Sequence, residues 1–499
     1  MTFRGLPVGG IAILLFMKSA MILVLVFMCA GRAGAANINA RIKEMAARPG
    51  VKNASWGVSV KDAATGAPVA AYNAQKNLIP GSILKIFVTA AAFDRLGPDY
   101  KIKTAVYYAG GIVNGFLNGN IYIEGGGDPS LGSQLIKDAI PLEETFKMWA
   151  AAVKAKGINV INGSVVGYDT SFESVQPGSW AWEDIGNYYA AQASALTIND
   201  NLYKLYFKPS DSVGGKAEVL RTEPFQADLK FENHMLTGPR GSGDNGYIFA
   251  FPEQNAAVLR GSIPQGGDEF FIKGALSDPA LFAAQSFNAY LARAGINANK
   301  KPYKISEPIK DARWILITET QGAPLENIIR IANKRSFNLY AELMLRQLAA
   351  AQGLKGTDDN GLEIVKSFLA AQKVDVSEMK LVDASGLSRV DTAKAENFTD
   401  LLCSVSKKKY FEAFRDTLVF PADPEATGHI KRMGGNTYLA SGLRVKSGSL
   451  NGVRAYTGYL KTKKGRNLAF TFIINNYSAD PAEIDKLHED LLVELADRY

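Results

Sequence analysis

The chain has 499 residues, of which 47% are apolar and 21% charged, with a formal charge of +7. That is too long for one compact core and too apolar for disorder, so two or three folded units are expected, and only the N-terminal stretch approaches a membrane span in hydropathy. Two cysteines and three dispersed histidines (His234, His429, His488) exclude a disulfide framework and a Cys/His metal site. No metal or other cofactor is therefore expected, and catalysis falls to Ser, Lys, Asp, Glu or Tyr.

Residues 1–35 contain Arg4 and Lys18 but no acid; the apolar run Ala20–Ala30 is followed by Gly31-Arg32-Ala33-Gly34-Ala35. This reads as a secretory signal cleaved near Ala35, which places the mature chain in the periplasm; an uncleaved tether and a start at Met17 are the alternatives. Cleavage removes Cys29 and three positive charges, so +7 becomes +4. The remaining thiol, Cys403, follows Leu401-Leu402 and reads as a small buried hydrophobe. The short basic runs Lys407–Lys409 and Lys461–Arg466 read as a solvated face and a hairpin turn, so no nucleic-acid partner is expected.

Ser55–Asn73 alternates as two strands around Ala64-Thr65-Gly66. A helix should start at Pro80-Gly81-Ser82, show Ile86, Phe87, Ala90 and Ala91 on one face, and stop at Gly97-Pro98. From Tyr100 to about Pro302 the chain is rich in Gly and β-branched residues. Strand-like runs there are Thr104–Tyr108, Asn120–Glu124, Ser164–Tyr168, Lys204–Phe207 and Glu269–Ile272, with one helix at Pro279–Ala294. From Trp314 onward the pattern is helical, at Pro324–Ala332, Asn338–Ala351 and Gly361–Gln372. Val453–Leu460 and Leu468–Asn475 then flank a turn at Lys463-Lys464-Gly465. Asp480-Pro481-Ala482-Glu483 opens a last amphipathic helix. The order of these elements suggests an α/β (α+β) fold with an antiparallel sheet covered by helices.

Three short motifs carry chemistry. Ser82-Ile83-Leu84-Lys85 places a hydroxyl and an amine three residues apart at a helix start, where Lys85, neutral if buried, can take the serine proton. Ser336-Phe337-Asn338 precedes a helix, and Lys446-Ser447-Gly448-Ser449 lies on a strand leading into the final hairpin. The expected roles are Ser82 as nucleophile, Lys85 as base, Ser336 as a proton bridge between the lysines and Asn338 as an orienting amide. Lys446, Ser447, Gly448 and Ser449 form a carboxylate receptor, and the backbone N–H groups of Ser82 and Ser449 form an oxyanion hole. Lys85 and Ser336 are 251 positions apart, too far for a loop, so a separate unit of about 103–312 is inserted between them.

SxxK, SxN and K-[ST]-G in this order resemble the active-site set of penicillin-recognising serine enzymes. With the insert, the chain resembles the class C low-molecular-mass penicillin-binding proteins, a D-alanyl-D-alanine carboxypeptidase/endopeptidase family. The likeness extends to Tyr122–Pro129, Gly167–Phe172, Trp180–Asp184, Asp278–Phe282 and Val382–Arg389. It implies a transpeptidase/β-lactamase-like domain in two pieces, 36–102 and 313–499, around a mostly β insert of one or two subdomains. It also implies peptidoglycan stem peptides as substrate and β-lactam antibiotics as covalent inhibitors. Asp169 and Arg389 match family positions that meet the stem-peptide side chain, and Asn451 stands where the family has Gln. A β-lactamase or esterase on the same site, and a non-catalytic wall-binding protein, are the competing readings.

Overall fold

The computed structural model describes residues 38–226, 228–252, 254–309, 313–435 and 437–499; the expected signal at 1–35, with Cys29, lies outside them. A helix over 38–46 (α1) leads into strands β1 (Ser55–Asp62) and β2 (Pro68–Tyr72). A 3₁₀ turn, Gly81–Leu84, then runs straight into α2 (Lys85–Leu96). After a long intervening segment come α3 (Leu325–Lys334), α4 (Asn338–Ala350), α5 (Asp358–Ala371) and α6 (Ala395–Val405). The chain closes with β3 (Leu443–Leu450), β4 (Val453–Lys461), β5 (Asn467–Asn475) and α7 (Pro481–Arg498).

The five strands form one antiparallel sheet in the order β3-β4-β5-β1-β2, so the last strand of the chain pairs with its first. Both faces are covered. Val58, Val60, Phe470, Phe472 and Ile474 pack in one cluster with Ile38 and Ile42 of α1 and Ile484 and Leu491 of α7. Ala455, Ala469 and Ile473 belong to a second cluster with Phe87 of α2 and Phe398 and Leu402 of α6. Burial on both sides is why β5 reads as a nearly continuous apolar run instead of a polar–apolar alternation. Asp480 caps α7 as expected, accepting from the Ala482 N–H.

The intervening segment has its own core. Lys101–Val113 and Phe116–Gly125 lie in a seven-stranded sheet that Ile315–Pro324 closes on one edge by pairing with Lys101–Val113. The expected helical pattern from Trp314 therefore begins with a strand, and the sheet's hydrogen bonds run beyond residue 312. Ile315–Pro324 lies at the edge of its sheet, mostly exposed or half-buried, and so shows little of the apolar signal of a central strand. Leu142–Ala155 is a helix absent from the sequence reading; Phe146, Trp149 and Val153 form its buried stripe. Two small sheets, one built on Leu202–Lys208 and one on Ala256–Pro264, complete the segment.

Candidate active site

Ser82 lies in the 3₁₀ turn, and Lys85 is the first residue of α2. Side chains three apart on a 3₁₀ turn nearly eclipse, which brings Lys85 Nζ to 2.9 Å from Ser82 Oγ. Lys85 also donates to Asn338 Oδ1 at 2.7 Å and to the Ser385 carbonyl at 2.7 Å. All three partners are neutral and the lysine has no exposed surface. Burial pushes its amine down to about 7, against the pull of the Asp383 and Glu342 carboxylates.

Lys446, on β3, donates to Ser336 Oγ at 2.9 Å and to the Ser447 carbonyl at 2.6 Å. Burial, and then the like charge of Lys85, hold it well below the usual lysine range. Ser336 sits between α3 and α4 at φ +55°, a left-handed conformation that costs a non-glycine residue about 1–3 kcal/mol and aims its hydroxyl at Lys446. At the sheet edge β3 approaches the serine turn closely. A Cβ on Gly448 would lie 2.6 Å from the Pro80 carbonyl oxygen and 3.0 Å from Ser82 N, so only glycine fits.

The structure brings Ser82, Lys85, Ser336, Asn338 and Lys446 together, with Ser449, Arg389 and Asn451 along a cleft of about 390 Å³. Arg389 donates to the Asn451 carbonyl at 3.0 Å. Ser447 lies in an adjoining pocket of about 220 Å³ that meets the cleft at Ser336 and Ser449. Asp169 is not brought to this cleft. Its carboxylate is enclosed and accepts from Ser174 Oγ (2.6 Å), Ser194 Oγ (3.0 Å) and Leu196 N (3.2 Å), and burial raises it above the usual carboxylate range. The acids lining the cleft are Glu183 and Asp184.

Several groups were not foreseen from the motifs. Glu342, one turn after Asn338 on α4, is buried and accepts the backbone N–H groups of Ala384 (3.1 Å) and Ser385 (2.8 Å). It thereby fixes the carbonyl that holds Lys85. Arg346, a further turn on, lies 3.8 Å from Glu342 and 2.9 Å from Asp358. Asp383 orders the same loop, accepting from Gly386 N (2.6 Å), Ser388 N (2.8 Å) and Trp180 Nε1 (2.8 Å). Burial and then the neighbouring acids raise Glu342 to about 8, and burial and then Asp383 raise Asp391 to about 10. Asn338, Glu342 and Arg346 recur every four residues, a polar stripe on a fully buried helix, and that spacing is the signal the sequence offered. Arg454, on β4, donates to Ser449 Oγ and is held by Asp485 at 3.3 Å.

Of the residues outside the cleft, Cys403 is buried beside the Asp62 carbonyl and its thiol is pushed up to about 11, as an inert core residue should be. His488 is enclosed, accepts from Trp56 Nε1 at 3.1 Å and is driven down to about 3 by burial. None of the described histidines lines the cleft.

A model of the D-Ala-D-Ala carboxypeptidase 3 (S13) family matches residues 38–499. A D-alanyl-D-alanine carboxypeptidase from an Actinomadura species is 27% identical over 459 residues, covering 90% of this chain and 82% of that protein. D-alanyl-D-alanine carboxypeptidase DacB of Haemophilus influenzae is 25% identical, covering 83% and 84%. The crystal structure of penicillin binding protein 4 (dacB) from Haemophilus influenzae superposes with a TM-score of 0.77 at 22% identity, over 91% of this chain and 99% of that one. A second structure of that protein, complexed with a β-lactam, gives 0.73 at 22% identity, with 91% and 99% covered.

Proposed function

The chain belongs to the D-Ala-D-Ala carboxypeptidase 3 (S13) family, and on that premise we propose that it is a serine DD-peptidase whose cleft opens D-amino-acid bonds of peptidoglycan stem peptides. One observation carries the reading: a fully buried Lys85, held by neutral partners 2.9 Å from Ser82 Oγ, with its amine lowered to about 7. An amine so placed is a base at physiological pH. Lys85 takes the Ser82 proton as Oγ attacks the carbonyl carbon of the penultimate D-residue. The oxyanion forms between the backbone N–H groups of Ser82 and Ser449, each such donor being worth about 3 kcal/mol.

As the C–N bond breaks, Ser336, bonded to Lys446 at 2.9 Å, passes a proton to the leaving amine and receives in its place the proton that Lys85 took from Ser82, so Lys85 is neutral again and Lys446 keeps its charge. Asn338 keeps Lys85 aligned. The substrate carboxylate is received by Lys446 and the Ser447 and Ser449 hydroxyls beside Gly448. Water then hydrolyses the serine ester and returns the Oγ proton. Arg389 and Asn451 stand at the end of the cleft that takes the stem-peptide side chain. β-Lactams enter the same sequence and stall as acyl-enzymes.

The enzyme acts outside the cytoplasmic membrane, in the periplasm, after removal of residues 1–35. Its catalytic unit is assembled from 36–102 and 313–499 around the insert at 103–312. The test is covalent labelling with a fluorescent penicillin: one adduct on wild-type protein and none on Ser82→Ala. An undiminished adduct on the variant, or none on either, would sink the proposal, while fast release of hydrolysed β-lactam without D-Ala release from stem peptides would mark a β-lactamase.

A further inference from the structure

Beyond the cleft, the small sheet of the intervening segment turns an unusual face outward. Tyr247 and Phe249 alternate with the buried Ile248 on the strand Asn245–Ala250, so both rings rise from one side, and Phe251 follows two residues on. Tyr247 is 42% exposed and Phe251 63%. Trp182, 60% exposed, comes from a neighbouring loop and meets Phe249 edge-on at 5.0 Å, while Phe249 and Tyr247 lie 6.2 Å apart. Across the strand pair, Val258 stands opposite Phe249 and Arg260 opposite Tyr247, so the partner strand adds one cation to this face. Exposed Trp182, Tyr247 and Phe251 around the half-buried Phe249 mark a docking surface rather than ordinary surface scatter.

The surface is continuous with the cleft. Tyr247 lines it together with Tyr188 and Tyr189, so a ligand seated at Ser82 leaves the cleft mouth beside these rings. A stem peptide is attached to a strand of N-acetylated hexoses. Pyranose rings present apolar C–H faces that stack on aromatic side chains while their hydroxyls stay hydrated, and such a strand carries little charge for ion pairing. We propose that Trp182, Phe249 and Phe251 form a glycan-stacking surface that docks the sugar strand bearing the stem peptide. This rests on the peptidoglycan reading of the cleft and adds a second, non-catalytic point of attachment. It makes polymeric wall a better substrate than free peptide.

The full chain carrying Trp182→Ala and Phe251→Ala tests this, since neither residue lines the cleft and both are exposed. The probe is immobilised glycan strands freed of peptide by an amidase. Wild type should be retained, and the double variant should bind about tenfold more weakly or worse, as expected for losing two stacked rings. Penicillin labelling and hydrolysis of a soluble stem pentapeptide should be unchanged, while D-Ala release from intact wall falls. The inference is overturned if wild type ignores the stripped strands, if the variant binds them equally, or if pentapeptide hydrolysis drops in parallel. Retained glycan binding with loss of a co-purifying protein would assign the face to a protein instead. Failure of penicillin to label Ser82 would sink the catalytic reading and leave the glycan result standing on its own.

Discussion

Lys85, on α2, and Lys446, on β3, are both buried beside the same cleft, but the two walls that hold them are built differently. Behind Lys85 lie Asp383 and then Glu342, acids sealed in the protein that pull its proton affinity up against burial. Among the described residues no such acid acts behind Lys446; its partners are Ser336 Oγ and the Ser447 carbonyl, and the charge it feels is the other lysine. One wall therefore supplies its own counter-charge and can tune an amine to about 7. The other leaves its cation short of an anion, which a substrate carboxylate would provide. In the proposed mechanism the same residue type serves as base on one side and as receptor on the other because of its surroundings.

The sharpest way to break this contrast is to remove each lysine. Lys85→Ala should cut penicillin acylation by about 10³-fold or more, the scale of a lost general base. Lys446→Ala should chiefly raise KM for a stem peptide with a free carboxylate and cost a carboxylate-free ester much less. Equal losses on both substrates would show that the walls do not divide the work. Because only the neutral amine accepts the Ser82 proton, wild-type acylation should climb on an acid limb with its midpoint near pH 7.

Next in size is Gly448→Ala. Its Cβ must displace the Pro80 carbonyl or the serine turn, and acylation should drop by about 10²-fold with little change in global melting. Glu342→Gln probes the acid-backed wall, where Lys85 faces Glu342, Asp383 and Lys446, and Glu342 faces Arg346, Asp358 and Asp383. Because Glu342 is raised to about 8 and is largely protonated where the limb falls, its amide should leave the limb near pH 7, while the loosened Ser385 loop should slow acylation about tenfold. A limb that moved clearly to lower pH would show that Glu342 is ionised beside Lys85 and supplies counter-charge to this wall. The smallest effect belongs to exposed Arg389. Arg389→Ala should lower kcat/KM for stem peptide by about 1 kcal/mol or less of binding and leave penicillin labelling untouched.

Much of the proposed reacting centre was legible because it is written in short local motifs: Ser82 with Lys85, Ser336 with Asn338, and Lys446 to Ser449. The supporting groups were harder to see because they act through backbone atoms or across the chain. Ser385 contributes a carbonyl, which no side-chain pattern announces, and Glu342 acts on a loop 42 residues downstream. Asp169 was drawn from a resemblance, and the fold instead spends its carboxylate on Ser174 and Ser194. Among the elements, the doubly covered β5 and the capped α7 were plain. The edge strand Ile315–Pro324 lacked a buried face to reveal it, and the buried stripe of Leu142–Ala155 was carried by only a few large residues.

Helix α4 has a consequence for how such a chain can be rearranged. Its buried donors reach out of the helical unit: Asn338 Nδ2 to the Tyr189 carbonyl (2.7 Å), Tyr340 OH to Asp200 (2.7 Å) and Arg346 Nη2 to the Val175 carbonyl (3.0 Å). Excising the intervening residues would lose these hydrogen bonds, each worth about 0.5–1.5 kcal/mol, and open the buried side of α4 to water, a cost that matters against the small net stability of a domain. The segment is therefore not cargo threaded into a self-sufficient enzyme. A chimaera that exchanges it between relatives should fold only if the helix and the acceptors that meet it are inherited as one piece.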